Sequence, residues 1–404
     1  PKTPKPRGTI NYQYTADPLE LIKPTLEKNT ENKEETSINF LDLDSEEISY
    51  IRSGEFHTSF LTKDNNLYSY GKNTFGQLGH ETDDIICYPK LVNYFKLNKI
   101  IINNIALGGE HTLALSNKNE LFSWGLNIFG QLGINSTVNS KIPIKIEKIR
   151  NFVRNEETKV VEKEVIKRIS ENEKILEIAA GAQHSLILTS NNHLYSCGFS
   201  KNMSLGYFTK DEDPLESMIF TRIHAYSSTK KFSRITCGVN HSGCVFGNCE
   251  ILFWGKGEYL SYENPTVINF NKYPISQITD FKIGENFYII KNNNGELFSC
   301  GNNDYGQLGI GNNNNPKKHI EKVWINEKIR SFDCGYNFVI AVSETNKVYG
   351  WGYNKTGQVL DMSTEKINLP KELTIFQDMG LLSFQVSCGG YHEILQEFLT
   401  KNES

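Results

Sequence analysis

Within thirteen residues the chain places Cys237, His241, Cys244 and Cys249, spaced C-x3-H-x2-C-x4-C. Thiolates and an imidazole at short range are the donors structural zinc uses, but this spacing fits no common zinc pattern. A second candidate is Ser69–Gly79, SYGKNTFGQLG, whose glycines and amides have the look of a phosphate cradle. Such cradles put backbone N–H groups at a helix N-terminus and are completed by Gly-Lys-Ser/Thr. This stretch follows strand-like residues and lacks that lysine. The segment HEILQ at His392 has no second histidine for a zincin, and no Gly-x-Ser-x-Gly elbow occurs. The acidic pairs Asp83–Asp84 and Glu156–Glu157 have no histidine beside them for acid–base work.

Repetition explains these residues better than chemistry does. The Ser69 stretch sits in LYSYGKNTFGQLG from Leu67, which recurs as LFSWGLNIFGQLG from Leu121 and LYSCGFSKNMSLG from Leu194. A shortened ILFWGKGEY starts at Ile251, followed by LFSCGNNDYGQLG from Leu297 and VYGWGYNKTGQVL from Val348. Ahead of each copy, and once more at the end, stands Gly-x-x-His or Gly-x-x-Phe, beginning at Gly54, Gly108, Gly181, Gly238, Gly284, Gly335 and Gly389. The units step by 46 to 73 residues, a period that indicates solenoids, propellers or arrays.

The repeat assigns structural duties to its residues. Glycines Gly71, Gly125, Gly198, Gly255, Gly301 and Gly352 end the LYSYG-type run, and Gly76, Gly130, Gly306 and Gly357 open the following turn. Asn73, Asn127, Asn303 and Asn354, with Gln77, Gln131, Gln307 and Gln358, carry amides that satisfy backbone groups in a tight loop. His57, His111, His184, His241 and His392 share one position, which Phe287 and Phe338 fill elsewhere. Phenylalanine neither shuttles protons nor binds metal, so the expected shared role is packing. Cys237 likewise shares a position with Cys334 and Cys388, while Cys197 and Cys300 stand where Tyr70, Trp124, Trp254 and Trp351 stand in other units. The cysteines therefore read as apolar core residues, with no cofactor, metal or disulfide framework expected.

Between signatures, TSFLTKDNNLYSYG and its equivalents read as two short strands around a polar turn. EISYIRS, IINNIALG, ILEIAAG and FSRITCG supply another strand upstream. Three to four strands per unit predict an all-β, seven-bladed β-propeller of four-stranded antiparallel blades.

The paired signatures, Gly-x-x-His-[Ser/Thr] and Gly-x-Asn-x-x-Gly-Gln-Leu-Gly, resemble those of the regulator-of-chromosome-condensation family of seven-bladed propellers, from about Gly54 to His392. The resemblance implies protein partners; in the family's exchange members, residues at the blade ends contact a small GTPase and a protruding β-element helps expel nucleotide. The fold by itself serves many tasks.

Three organisational expectations follow. Residues 1–46 form an extension whose stretch near 10–14 pairs with the C-terminal strand around Ile394 to close the ring, because an open ring leaves bare strand edges. The propeller occupies 47–400. Residues 150–174 are an insertion that projects from the blade, and insertions within repeats map to binding loops. On it Lys159, Lys163, Glu164, Lys167 and Arg168 are candidate partner-binding residues.

Net charge is −4, with 43 basic and 47 acidic residues. That balance gives no broad field for nucleic acid. The basic start PKTPKPRG reads as a solvated tail, and no apolar run approaches the roughly 18 residues that span a bilayer. Reduced cysteines and the missing secretory signal suggest an intracellular protein, cytoplasmic or nuclear, with mitochondrial placement also open. The expected function is an interaction propeller, an adaptor or a subunit of a larger assembly without chemistry of its own. The alternative is a guanine nucleotide exchange factor, which needs only to bind the nucleotide-free GTPase better than the loaded form.

Overall fold

The computed structural model describes residues 47–154, 161–169, 173–199, 202–207, 216–224, 230–312, 319–359, 365–374, 384–390 and 393–397. The first blade shows how sequence makes the unit. Ile48–Ser53 is its innermost strand, His57–Thr62 the second, Leu67–Gly71 the third and Ile86–Leu91 the outermost, each antiparallel to its neighbour. The polar turn between the second and third strands passes through Asn65 at φ +62°, and Asn119, Asn192 and Asn346 do the same in later blades. Asparagine tolerates this left-handed region because its short side chain bonds locally. Gly71 leaves the third strand at φ +114°, where a Cβ would lie 2.5 Å from the Phe56 carbonyl oxygen. No other residue fits there.

The second blade comprises Ile102–Leu107, His111–Ser116, Leu121–Gly125 and Ser140–Ile146, and the third Ile175–Ala180, His184–Thr189, Leu194–Phe199 and Glu216–Ile223. Phe232–Cys237, His241–Phe246, Glu250–Lys256 and Ser261–Asn269 make the fourth. The fifth is Ile278–Ile283, Phe287–Asn292, Leu297–Gly301 and the short Glu321–Lys322; the sixth is Ile329–Cys334, Phe338–Ser343, Val348–Gly352 and Ile367–Glu372.

This corrects the expectation of seven four-stranded blades. Among the described residues six four-stranded blades are present, the third widened by the insertion, and after the sixth a two-stranded ladder follows, Phe384–Cys388 with Glu393–Glu397. The sequence gives the reason: after Gly389 no LYSYG-type run and no GQLG loop follow to supply third and fourth strands. The closing strand expected near 10–14 lies outside the described residues, as do the rest of 1–46 and His392. The described ring nonetheless meets itself through the ladder. The Ser53 amide donates to Ser387 Oγ at 2.9 Å, and the Gly390 amide to the Gly54 carbonyl at 3.3 Å.

The cores lie between blades. Leu61 and Leu67 of the first blade meet Ile105, Phe122 and Trp124 of the second around Val92 and Phe95. Equivalent clusters fill each later boundary, ending with Phe338, Ile340, Val386 and Cys388 between the sixth blade and the ladder. A blade has two apolar faces and buries neither alone, so stability is shared across joints.

Candidate functional site

The signature residues are spent inside the joints. Asn73 Oδ1 accepts the Leu78 amide at 2.9 Å and Gln77 Oε1 the Phe75 amide at 3.0 Å, which holds the GQLG loop in shape. Asn127 and Gln131, Asn303 and Gln307, and Asn354 and Gln358 repeat both bonds. The shaped loop then presents the Gln77 carbonyl to the next blade, where it accepts from Thr112 Oγ1 and from Trp124 Nε1, each at 2.9 Å. The Gln131 carbonyl likewise takes Ser185 Oγ, the Ser204 carbonyl takes Ser242 Oγ and Trp254, and the Gln307 carbonyl takes Trp351.

The histidines complete this chain. His57 Nε2 lies 3.0 Å from Thr112 Oγ1, His111 Nε2 2.9 Å from Ser185 Oγ and His184 Nε2 2.8 Å from Ser242 Oγ. Each hydroxyl spends its one hydrogen on the loop carbonyl, so the imidazole Nε2–H must donate to it. The hydrogen on Nε2 is thereby fixed in each ring. Burial lowers His111 to about 3, with the neighbouring His184 acting in the same direction, and lowers His184 to about 4. In the fifth blade the hydroxyl position is Tyr288, and His241 turns instead to the Leu260 carbonyl at 2.9 Å. Where the following blade offers Val339, the position carries Phe287. The pairing of histidine with the next blade's hydroxyl was the part of the pattern that repetition alone did not reveal.

The cysteine cluster comes apart. Cys244 is wholly buried, Cys249 Sγ donates to the Ser276 carbonyl at 2.9 Å, and His241 is occupied as above. Among the described residues no group of three or more His, Cys, Asp or Glu is placed to hold a metal ion. Cys237, Cys334 and Cys388 instead line a narrow axial cavity of about 80 Å³ with the glycines of the Gly-x-x-His turns.

The surfaces are then the two faces of the disc. One carries the glycine turns. There the Lys72 ammonium lies 2.7 Å from Glu110, and Asn337 donates to Glu285 at 2.8 Å. Burial raises the Glu55 carboxyl on the same face, only partly offset by a hydrogen bond from Tyr336.

The opposite face carries the insertion, a hairpin of Lys148–Arg154 and Val161–Arg168. It joins the third blade as a parallel edge over two pairs only, Phe220 with Ile149 and Thr221 with Arg150, and so makes that sheet six-stranded. Because the strand entering the hairpin runs parallel to Glu216–Ile223, which ends at this face, its register carries residues from Val153 onward past the end of that strand. Of the candidate binding residues, Lys163 and Glu164 stand opposite Val153 and Phe152, where the hairpin passes that end, and Lys159 lies outside the described residues. Arg168 is exposed at the base, with Ile166 48% exposed beside it.

Lys167 has a different place. Its ammonium lies 2.8 Å from the carboxylate of Glu173, which is 2% exposed and also accepts from Thr189 Oγ1, His193 Nδ1 and the Tyr195 hydroxyl. Burial alone would raise the Glu173 carboxyl; the bonds from Lys167, His193 and Thr189 outweigh it and hold it at about 2. Lys167 thus anchors the hairpin to the third blade. No motif in the sequence marked Glu173.

Comparison with known proteins agrees with this architecture. The family model described as the RCC1-like domain matches residues 20–395. The ultraviolet-B receptor UVR8 of Arabidopsis thaliana is 28% identical over 342 residues, covering 81% of this chain and 70% of UVR8. The guanine nucleotide exchange factor SRM1 of Saccharomyces cerevisiae is 31% identical over 229 residues, 52% of this chain and 42% of SRM1. Among solved structures, yeast RCC1 (Prp20) bound to Kap60 superposes with a TM-score of 0.73 at 20% identity, covering 88% of this chain and 81% of that one. Among the described residues no helix is long and apolar enough to cross a membrane.

Proposed function

The chain belongs to the RCC1-like domain family, and from that premise we propose that it is a protein-interaction propeller, an adaptor or a subunit of a larger assembly. One observation carries the reading. The residues that recur are consumed in blade-to-blade joints, whereas the feature that breaks the repeat is a hairpin extending past one face. A scaffold that spends its signature on rigidity and leaves one irregular element outside is suited to presenting a surface. The residues that would carry contact are Lys163, Glu164 and Arg168 on the hairpin, with Lys167 holding its base.

The test is affinity capture with the intact chain and with a variant carrying Lys163→Glu and Arg168→Glu. A partner retained by the first and lost by the second, with equal unfolding midpoints, supports the reading. Partners unaffected by the variant would remove the hairpin from it.

A second reading, guanine nucleotide exchange on a small GTPase, is favoured by the likeness to SRM1 and by the hairpin's position. It is checked by release of labelled GDP from any GTPase captured. Unchanged release at micromolar propeller rejects it.

A further inference from the structure

Five innermost strands share one irregularity, just after their first residue, in register with the second strand. The fourth blade departs from this. Its irregularity lies between Ser233 and Thr236, and Arg234 there has φ +50°. The left-handed region costs a residue with a Cβ about 1 kcal/mol, and bulges of this kind re-aim a side chain. Strain held at one site while sister strands avoid it points toward a use.

Neighbouring blades hold the bulge in place. Glu177 of the third blade accepts the Ile235 amide at 2.8 Å, and its other oxygen stands 3.9 Å from Arg234 Nη1. From the fifth blade the Thr279 carbonyl accepts Arg234 Nε at 3.3 Å. The remaining guanidinium N–H groups find no hydrogen-bond acceptor among the described residues, and the side chain is 61% exposed. A guanidinium fork suits a carboxylate approached side-on.

The surroundings extend this positive point. Lys282 lies 3.6 Å from Asp333, Lys291 donates to the Arg330 carbonyl at 2.5 Å, and Arg52 stacks over Tyr50 at 4.0 Å. Burial lowers the Lys291 ammonium, and Arg234 and Lys282 act in the same direction. Lys282 is raised chiefly by Asp333, against burial and Arg52. Arg234 and Lys291 stand toward the end of the channel away from the glycine turns, while Lys282 and Arg52, two residues before Gly284 and Gly54, lie nearer those turns. Of the nearby carboxylates, Glu177 accepts the Ile235 amide, Asp333 the Cys388 amide at 2.9 Å and Asp280 the Phe281 amide at 2.9 Å, while Glu344 acts on Lys291 against its lowering.

We propose that Arg234 is a recognition residue at this channel mouth, positioned to take a carboxylate of an acidic peptide segment of a protein partner. It rests on the interaction reading above and adds the chemistry of the partner. A nucleic acid fits less well. The chain carries net −4, which gives no broad positive field for a phosphate backbone.

The experiment uses the full chain and fluorescein-labelled deca-glutamate, followed by polarisation at 50 mM and 300 mM salt, with labelled dT10 as the competing polyanion. Arg234→Gly removes the fork and relieves the left-handed strain. It should leave the unfolding midpoint unchanged or raise it, yet weaken peptide binding about fivefold, the effect of one exposed ion pair. Arg234→Lys keeps charge and strain and should fall between. Three results overturn the proposal: no peptide binding by the intact chain, equal binding by Arg234→Gly, or tighter binding of dT10. If affinity capture with the intact chain still yields a hairpin-dependent partner in those cases, the interaction reading stands and only this site is lost.

Discussion

His111→Phe tests whether the histidines act as neutral joint residues. The fifth and sixth blades place Phe287 and Phe338 at this position against the same kind of glycine, so the ring fits. Near pH 7.5 the variant forfeits the Nε2 bond to Ser185 Oγ, 2.9 Å long, a loss of about 1 kcal/mol. Ser185 keeps its bond to the Gln131 carbonyl, so no donor is stranded. Acid reverses the balance. His111 is held at about 3 in the fold by burial, against about 6.5 in the unfolded chain. Below pH 6.5 the unfolded chain takes up a proton that the fold refuses, and stability falls by about 1.4 kcal/mol per pH unit. At pH 4.5 that amounts to about 2.7 kcal/mol, which the phenylalanine variant does not lose. The variant should therefore be less stable by about 1 kcal/mol at pH 7.5 and more stable by about 1.7 at pH 4.5, with curves crossing near pH 6. Urea midpoints from tryptophan fluorescence at pH 7.5, 6.0 and 4.5 give the answer. A constant offset across that range would refute the reasoning, because it would mean that the proton equilibrium of His111 is the same folded and unfolded.

Two further outcomes are expected. In Gly108→Ala the new Cβ would crowd the His111 ring and sit 2.5 Å from the Gly181 carbonyl of the next blade, so the thermal midpoint should fall by several degrees; a midpoint within 1 °C of the parent contradicts the close approach. Lys167→Met leaves the buried Glu173 carboxylate without its ammonium and should cost about 2 kcal/mol. Amide exchange should then speed up across Lys148–Arg154 and Ile166–Ile169 while Leu194–Phe199 stays protected, and equal protection in all three would show that the hairpin is anchored elsewhere.

Much of the fold was legible because repetition averages over local noise. One GQLG loop is ambiguous, but its recurrence after the runs from Leu67, Leu121 and Leu297, and as GQVL after Val348, fixes a turn, and the spacing of Gly54, Gly108 and Gly181 fixes the unit. The count of complete blades was not legible. A Gly-x-x-His tag reports an innermost and a second strand only, and at Gly389 the tag occurs without the residues that make the outer two. The joints were half visible. The hydroxyl after His57, His111, His184 and His241 appears in the pattern, but the partner of such a hydroxyl lies one blade earlier, 55 residues away for Thr112 and His57 and 74 for Ser185 and His111. The candidate surface residues divided for a similar reason. Lys167 reads as one more exposed cation until Glu173 and His193 are brought beneath it, and Arg234 reads as an ordinary strand residue until its backbone is seen at φ +50°.

The direction of the joints has a consequence for synthesis. A loop made early, such as the one ending at Gln77, holds out an acceptor for side chains translated roughly 35 to 47 residues later, Thr112 and Trp124. The second, third, fourth and sixth blades thus find a docking point already built, and growth can advance like a zipper from the first blade onward. Among the described residues, the contact of Ser387 and Gly390 with Ser53 and Gly54 must wait until those late residues are made, which makes a product cut short before them an arc with a sticky end rather than a smaller disc.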